Sequence, residues 1–137
     1  MARFARLETP SERNSATVTA LYKAWNWGMV GALLDLLHPH VEWSDGELPG
    51  ARLLSGLDEV QREIRSRMGV LDVSYHLQGV TDLEGRVLAE GLLTRGKGFP
   101  SPFLHLYDLQ GGLIARRRTF ATRTDALDAA AYTQLAG

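Results

Sequence analysis

The chain has 137 residues, 45% of them apolar and 23% charged, which suits one domain with a buried core and is too short for two. A formal net charge of −1 gives no basic face for nucleic acid or an anionic membrane, and the absence of cysteine excludes disulfides, thiol nucleophiles and cysteine zinc sites. No stretch approaches the ~20 apolar residues of a membrane span and the N-terminus carries no secretory run, so a cytoplasmic location is the default expectation.

Residues 1–8 read as a loose arm. Thr9-Pro10-Ser11-Glu12 then has the form of a helix start, with Thr9 as N-cap and Pro10 at the first helical position. Val18, Leu21, Tyr22 and Trp25 follow at helical spacing and predict one apolar stripe ending near Gly28. Val30, Leu33, Leu34 and Leu37 predict a short second helix, closed by His38-Pro39. A strand is expected over His40–Asp45, with Val41, Trp43 and Asp45 on one face.

The segment from Gly46 to Gly56 reads as a loop. A third helix is expected from Leu57 to Met68, stopped by Gly69, with Leu57, Val60, Ile64 and Met68 inward. Beyond it the period changes to two: Val73, Tyr75 and Leu77 alternate with Ser74, His76 and Gln78. Arg86–Thr94, Phe103–Leu109 and Leu113–Thr122 complete a meander, with a hairpin turn at Gln110-Gly111-Gly112. Thr122 to Asp125 offers the cap of a terminal helix carrying Leu127, Ala130, Ala131 and Leu135. The layout is α+β over a single domain, 1–137: a curved antiparallel sheet with helices on one face.

The run Leu21–Asp45, the helix after Gly56 and the ending GGLIARRRTFATRTDALDAA resemble the SnoaL-like polyketide cyclases. These belong to the nuclear transport factor 2-like superfamily, together with ketosteroid isomerase and limonene epoxide hydrolase. The resemblance spans about Ser15 to Ala130. It implies a cone: a curved antiparallel sheet, three N-terminal helices on its concave face, a short C-terminal helix, and a pocket between sheet and helices. It also implies a homodimer, for which the convex face bearing Arg116, Arg118, Phe120, Leu104 and Leu106 is the expected interface.

Carried across residue by residue, the resemblance places Asp45 at the general base of ketosteroid isomerase and His105 at that enzyme's protonated acid, a pocket histidine in the cyclases. The isomerase's oxyanion tyrosine falls on Leu21, with Tyr22 one position away. The last-strand aspartate of the cyclases and the hydrolase falls on Thr119. The hydrolase's further Arg and Asp fall on Gly91 and Leu93, so a limonene-type hydrolase is not expected.

Asp45 thus has two readings: a desolvated base, or half of an Asp-Gly turn just past a strand. His105 shares a strand face with Phe103 and Tyr107, and is either a proton donor facing a ligand or a packed ring. Trp25, Trp43, Leu34, Tyr22 and Tyr107 serve equally as core and as pocket wall. Arg117 faces the pocket if Thr119 does, where it would favour an anion; otherwise the arginine run Arg116–Arg118 is surface. Gly96 to Pro102 is the expected lid. His38, His40 and Glu42 match no zinc signature, so neither metal nor cofactor is expected. The function expected is cofactor-free proton abstraction beside a carbonyl, in an isomerase, cyclase or dehydratase acting on a small apolar or carbonyl compound. The alternative is a binding or interaction module of the same fold.

Overall fold

The computed structural model describes residues 9–68 and 72–136, with side chains through Ala131; the expected arm (1–8), Gly69 and the Leu135 side chain lie outside them. In chain order the elements are α1 (Pro10–Asn26), α2 (Val30–Leu34), β1 (Leu37–Ser44), β2 (Leu53–Ser55), α3 (Leu57–Ser66), β3 (Val73–Asp82), β4 (Arg86–Arg95), β5 (Ser101–Gln110), β6 (Leu113–Thr119) and α4 (Arg123–Ala136). The strands form one curved, open six-stranded sheet in the order β2-β1-β6-β5-β4-β3.

Helix α1 starts as its sequence dictates. Thr9 is extended, its hydroxyl accepts the Glu12 N–H at 3.1 Å, and Pro10 opens the first turn. The helix lays Val18, Leu21, Tyr22 and Trp25 into the concave face of the sheet, where all four are buried. Its end is tied to strand β3. The Trp25 indole N–H donates to the Val73 carbonyl at 2.7 Å, and the Asn26 side chain both accepts from the Tyr75 N–H and donates to the Tyr75 carbonyl. β3 is an edge strand, so this amide satisfies groups that the sheet leaves open.

Three expectations need correction. The second helix stops at Leu34, and Leu37 opens β1 instead of completing a helical stripe. Pro39 therefore lies inside a strand, within the stretch where the β1–β6 register is interrupted, the position at which a missing N–H costs no ladder bond. The sheet is not wholly antiparallel either, because β1 runs parallel to β6. Residues 53–55, read as loop, form the short edge strand β2 on β1.

Helix α4 packs on the other face of the sheet, where Ala126 and Ala130 meet Leu88 and Leu106. Leu106 is fully covered there, so α4 occupies part of the face expected for a dimer contact. Arg86, Arg116 and Arg118 surround Asp108 on that face. Among the described residues, no helix is long and apolar enough to cross a membrane.

Candidate functional site

The concave interior is built by strand alternation. On β5 the inward residues are Phe103, His105 and Tyr107; opposite them on β6 stand Thr119 and Arg117, and Trp43 on β1 pairs with Arg117. Tyr75 enters from β3 and Tyr22 from α1. His105 and Arg117 are 0% and 2% exposed, so the floor of the cone is polar and dry.

These groups form one connected network. The Tyr22 hydroxyl lies 2.6 Å from His105 Nδ1 and 2.7 Å from the Tyr107 hydroxyl. On the other side of the ring, His105 Nε2 lies 2.6 Å from Oε2 of Glu47. The Tyr75 hydroxyl donates to Oε1 of the same carboxylate at 2.5 Å, and Arg117 Nη1 stands 3.7 Å from it. Arg117 is held by Ser44, through the hydroxyl and the carbonyl at 3.0 Å each, and its guanidinium stacks on the Trp43 ring at 4.0 Å.

Burial opposes charge on Glu47, yet His105 and Arg117, with hydrogen bonds from His105 and Tyr75, hold its carboxyl well below the usual range. Burial pushes the His105 imidazole below its ordinary value; Glu47 pulls upward, and Arg117 adds to the lowering. The consistent arrangement is a neutral ring with its proton on Nε2, donated to an ionised Glu47, while Nδ1 accepts from Tyr22. Burial also raises the Tyr22 and Tyr75 phenols well above their ordinary value, so both remain protonated donors.

Glu47 reaches this interior from the loop between β1 and β2. Gly46 and Gly50 adopt φ of +93° and +73°, a region open to glycine, and they reverse the chain on either side of Glu47-Leu48-Pro49. The loop is closed at its base by Asp45, whose N–H donates to the Arg52 carbonyl at 2.9 Å and whose carboxylate meets Arg52 Nε at 3.3 Å. Thr119 donates its hydroxyl to the Leu48 carbonyl at 2.8 Å, while the Leu48 side chain points outward, 77% exposed. Outside the loop lies an apolar groove of about 580 Å³, lined by Pro49, Ala51, Leu53, Thr119 and Phe120.

The structure therefore brings together Tyr22, His105, Tyr107, Arg117 and Thr119, with Trp25 and Trp43 as buried walls and Leu34 half-buried against them. It does not bring Asp45 to His105. The β1 strand ends at Ser44, so Asp45 follows the turn rather than the strand face, and its side chain is 32% exposed beside Arg52. The carboxylate facing His105 belongs to Glu47, which the sequence reading missed. Its one signal was an acid between two glycines directly after a strand. Tyr22, not Leu21, reaches the histidine. The segment 46–50 sends Glu47 into the interior; of the expected lid Gly96–Pro102, residues 96–100 join β4 to β5, with Phe99 exposed, and 101–102 open β5.

Residues 18–117 match the model of the SnoaL-like domain. A provisionally assigned ketosteroid isomerase from Kribbella flavida DSM 17836 superposes with a TM-score of 0.72 at 15% identity, covering 82% of this chain and 79% of that one. Bal32a, from a soil-derived mobile gene cassette, gives 0.73 at 19% identity over 88% and 98% of the two chains. A provisionally assigned polyketide cyclase from Xanthomonas campestris pv. campestris gives 0.67 at 20% identity over 89% and 99%. At these identities the likeness is one of fold. No curated protein matches the chain.

Proposed function

Because the chain belongs to the SnoaL-like domain family, we propose that it is a cofactor-independent enzyme that moves a proton next to a carbonyl, with His105 as the proton carrier. The observation that carries this reading is the fully buried imidazole between a phenol relay and a carboxylate. Such a ring has a tautomer set by its neighbours and a proton affinity lowered by its burial.

In the closed structure Glu47 masks the base, because Nε2 holds its proton and donates it. Movement of the 46–50 loop removes that acceptor. With the loop open, water reaches the ring, takes the proton from Nε2 and returns one to Nδ1, while the Tyr22 hydroxyl turns to accept from Nδ1–H and to donate to Tyr107. The Nε2 lone pair now faces the vacated space and takes a proton from the carbon beside a substrate carbonyl. The C–H electron pair becomes the enolate, and the Tyr75 hydroxyl supplies a donor for its oxygen. Return of the proton from Nε2–H, to the same carbon or a conjugated one, gives exchange or isomerisation. Asp45 has no part in this sequence, since it closes the loop at the rim.

The test is deuterium uptake beside the carbonyl, followed by proton NMR in D2O, over a set of cyclic enones, aryl ketones and keto acids. The wild-type chain is expected to exchange at least one of them faster than buffer. His105→Asn should lose that acceleration by roughly the 10²-fold or more typical of a removed acid–base group, and Asp45→Asn should keep it. Exchange no faster than buffer throughout, or exchange that survives His105→Asn, overturns the proposal in favour of a non-catalytic binding module.

A further inference from the structure

The closed interior carries a charge requirement that a neutral carbonyl compound does not meet. Arg117 is buried, and Glu47 is the acid that faces it. If the loop opens and takes Glu47 with it, Arg117 loses the acid that faces it and stands beside a neutral imidazole. An unpaired buried charge is strongly disfavoured, so the open form needs another anion at that point.

We propose that Glu47 is a built-in occupant of a carboxylate subsite, and that the natural ligand carries its own carboxylate, which displaces Glu47 and pairs with Arg117, leaving Nε2 of His105 free to act as the base and Tyr75 free for the carbonyl oxygen. This rests on the reading of the interior as the substrate site and adds the substrate's chemical class: a small carbonyl compound bearing one carboxylate on an apolar body.

The geometry supports displacement. Tyr75, His105 and Arg117 converge on both oxygens of the Glu47 carboxylate, so the interior already has room and a cation for that group. Glu47 fills it imperfectly. Its tether leaves 3.7 Å between Oε1 and Arg117 Nη1, which is an ion pair without a direct hydrogen bond. A free carboxylate has no such tether and can close the gap. The loop that carries Glu47 is flanked by two glycines and fastened by an exposed ion pair, the Thr119 hydroxyl, Arg117 on the Gly46 carbonyl and the contacts of Glu47 itself, all polar, so its opening leaves the apolar core intact. An apolar groove lined by Pro49, Ala51, Thr119 and Phe120 borders the same loop and is where the ligand's body would rest once the loop moves.

The experiment is titration of benzoate, with benzamide as the neutral isostere, into the wild type, Glu47→Ala and Arg52→Ala, read by calorimetry and by the shift in melting temperature. Removing the tethered carboxylate should tighten benzoate binding at least tenfold and make benzoate, but not benzamide, raise the melting temperature of Glu47→Ala. Arg52→Ala, which keeps the interior and loosens the loop base, should tighten benzoate binding by a smaller factor. That comparison decides the matter should Glu47→Ala fail to fold. Equal benzoate affinity in all folded variants, or equal response to benzamide, overturns the inference. Benzoate binding to Glu47→Ala without deuterium exchange by the wild type would sink the catalytic reading alone; exchange without benzoate binding would sink the subsite alone.

Discussion

Replacing Glu47 by Gln keeps the shape of the side chain and removes its charge, which makes it the sharpest single probe of the interior. The amide offers one oxygen where the carboxylate offers two, so it cannot accept from both His105 Nε2–H and the Tyr75 hydroxyl. A tautomer change repairs that loss: Nε2 accepts from the new amide N–H, Nδ1–H donates to Tyr22, and Tyr22 donates to Tyr107. The charge cannot be repaired. Arg117 stays buried on Trp43, held by Ser44 and the Gly46 carbonyl but facing no anion. Breaking a buried pair costs roughly 3–5 kcal/mol when the partners touch. Here they stand 3.7 Å apart and Arg117 keeps three neutral acceptors, so we expect a loss of about 2–3 kcal/mol by that scale. Urea unfolding at pH 7 reads it through the midpoint at constant slope. A change below about 0.5 kcal/mol, the range of an ordinary surface substitution, would refute the idea that Glu47 neutralises Arg117.

The same pair fixes the response to acid. The folded Glu47 carboxyl lies below its ordinary 4.5, so its contribution is fully present above that value and is lost as pH falls through the folded one. His105 acts in the same direction, since the unfolded ring takes up a proton below about 6.5 that the folded ring resists. Stability should therefore fall from pH 6.5 downward, and Glu47→Gln should flatten the part below 4.5; a flat wild-type profile from pH 7 to 4 would contradict both. Asp45→Asn should cost less than about 1 kcal/mol in chemical denaturation, because its Arg52 partner is exposed. Gly91→Ala should cost about 3 kcal/mol, at the upper end for an overpacked site. A Cβ there would meet the His76 carbonyl at 2.1 Å, where the β3–β4 register shifts. A near-neutral melting temperature would show that the bulge relaxes freely.

What the sequence made legible is what strict periods encode. Phe103, His105 and Tyr107 share a face because a strand alternates, and Val18, Leu21, Tyr22 and Trp25 share one because a helix repeats; both faces turned inward together. Arg117 stayed open between interior and surface, because its face depends on the pairing of Thr119 with His105 across the sheet. Periodicity failed where an element ended. Leu37 fits a helical stripe and begins a strand, because pairing with Ile114 on β6, far along the chain, decides the matter. Asp45 continues the alternation of Val41 and Trp43 on paper, but the strand stops one residue earlier. Glu47 obeys no period at all. Its direction depends on the φ of Gly46 and on donors from three separate strands, none of which is local to it.

The proton between His105 and Glu47 decides whether the closed interior holds a masked neutral base. Nitrogen-15 NMR of the imidazole at pH 7 reads it directly. The wild-type ring is expected to be neutral, protonated at Nε2 and bare at Nδ1, with the proton moved to Nδ1 in Glu47→Gln. An imidazolium at that pH, or a wild-type ring protonated at Nδ1, would contradict it, since Glu47 would then not be masking a neutral base.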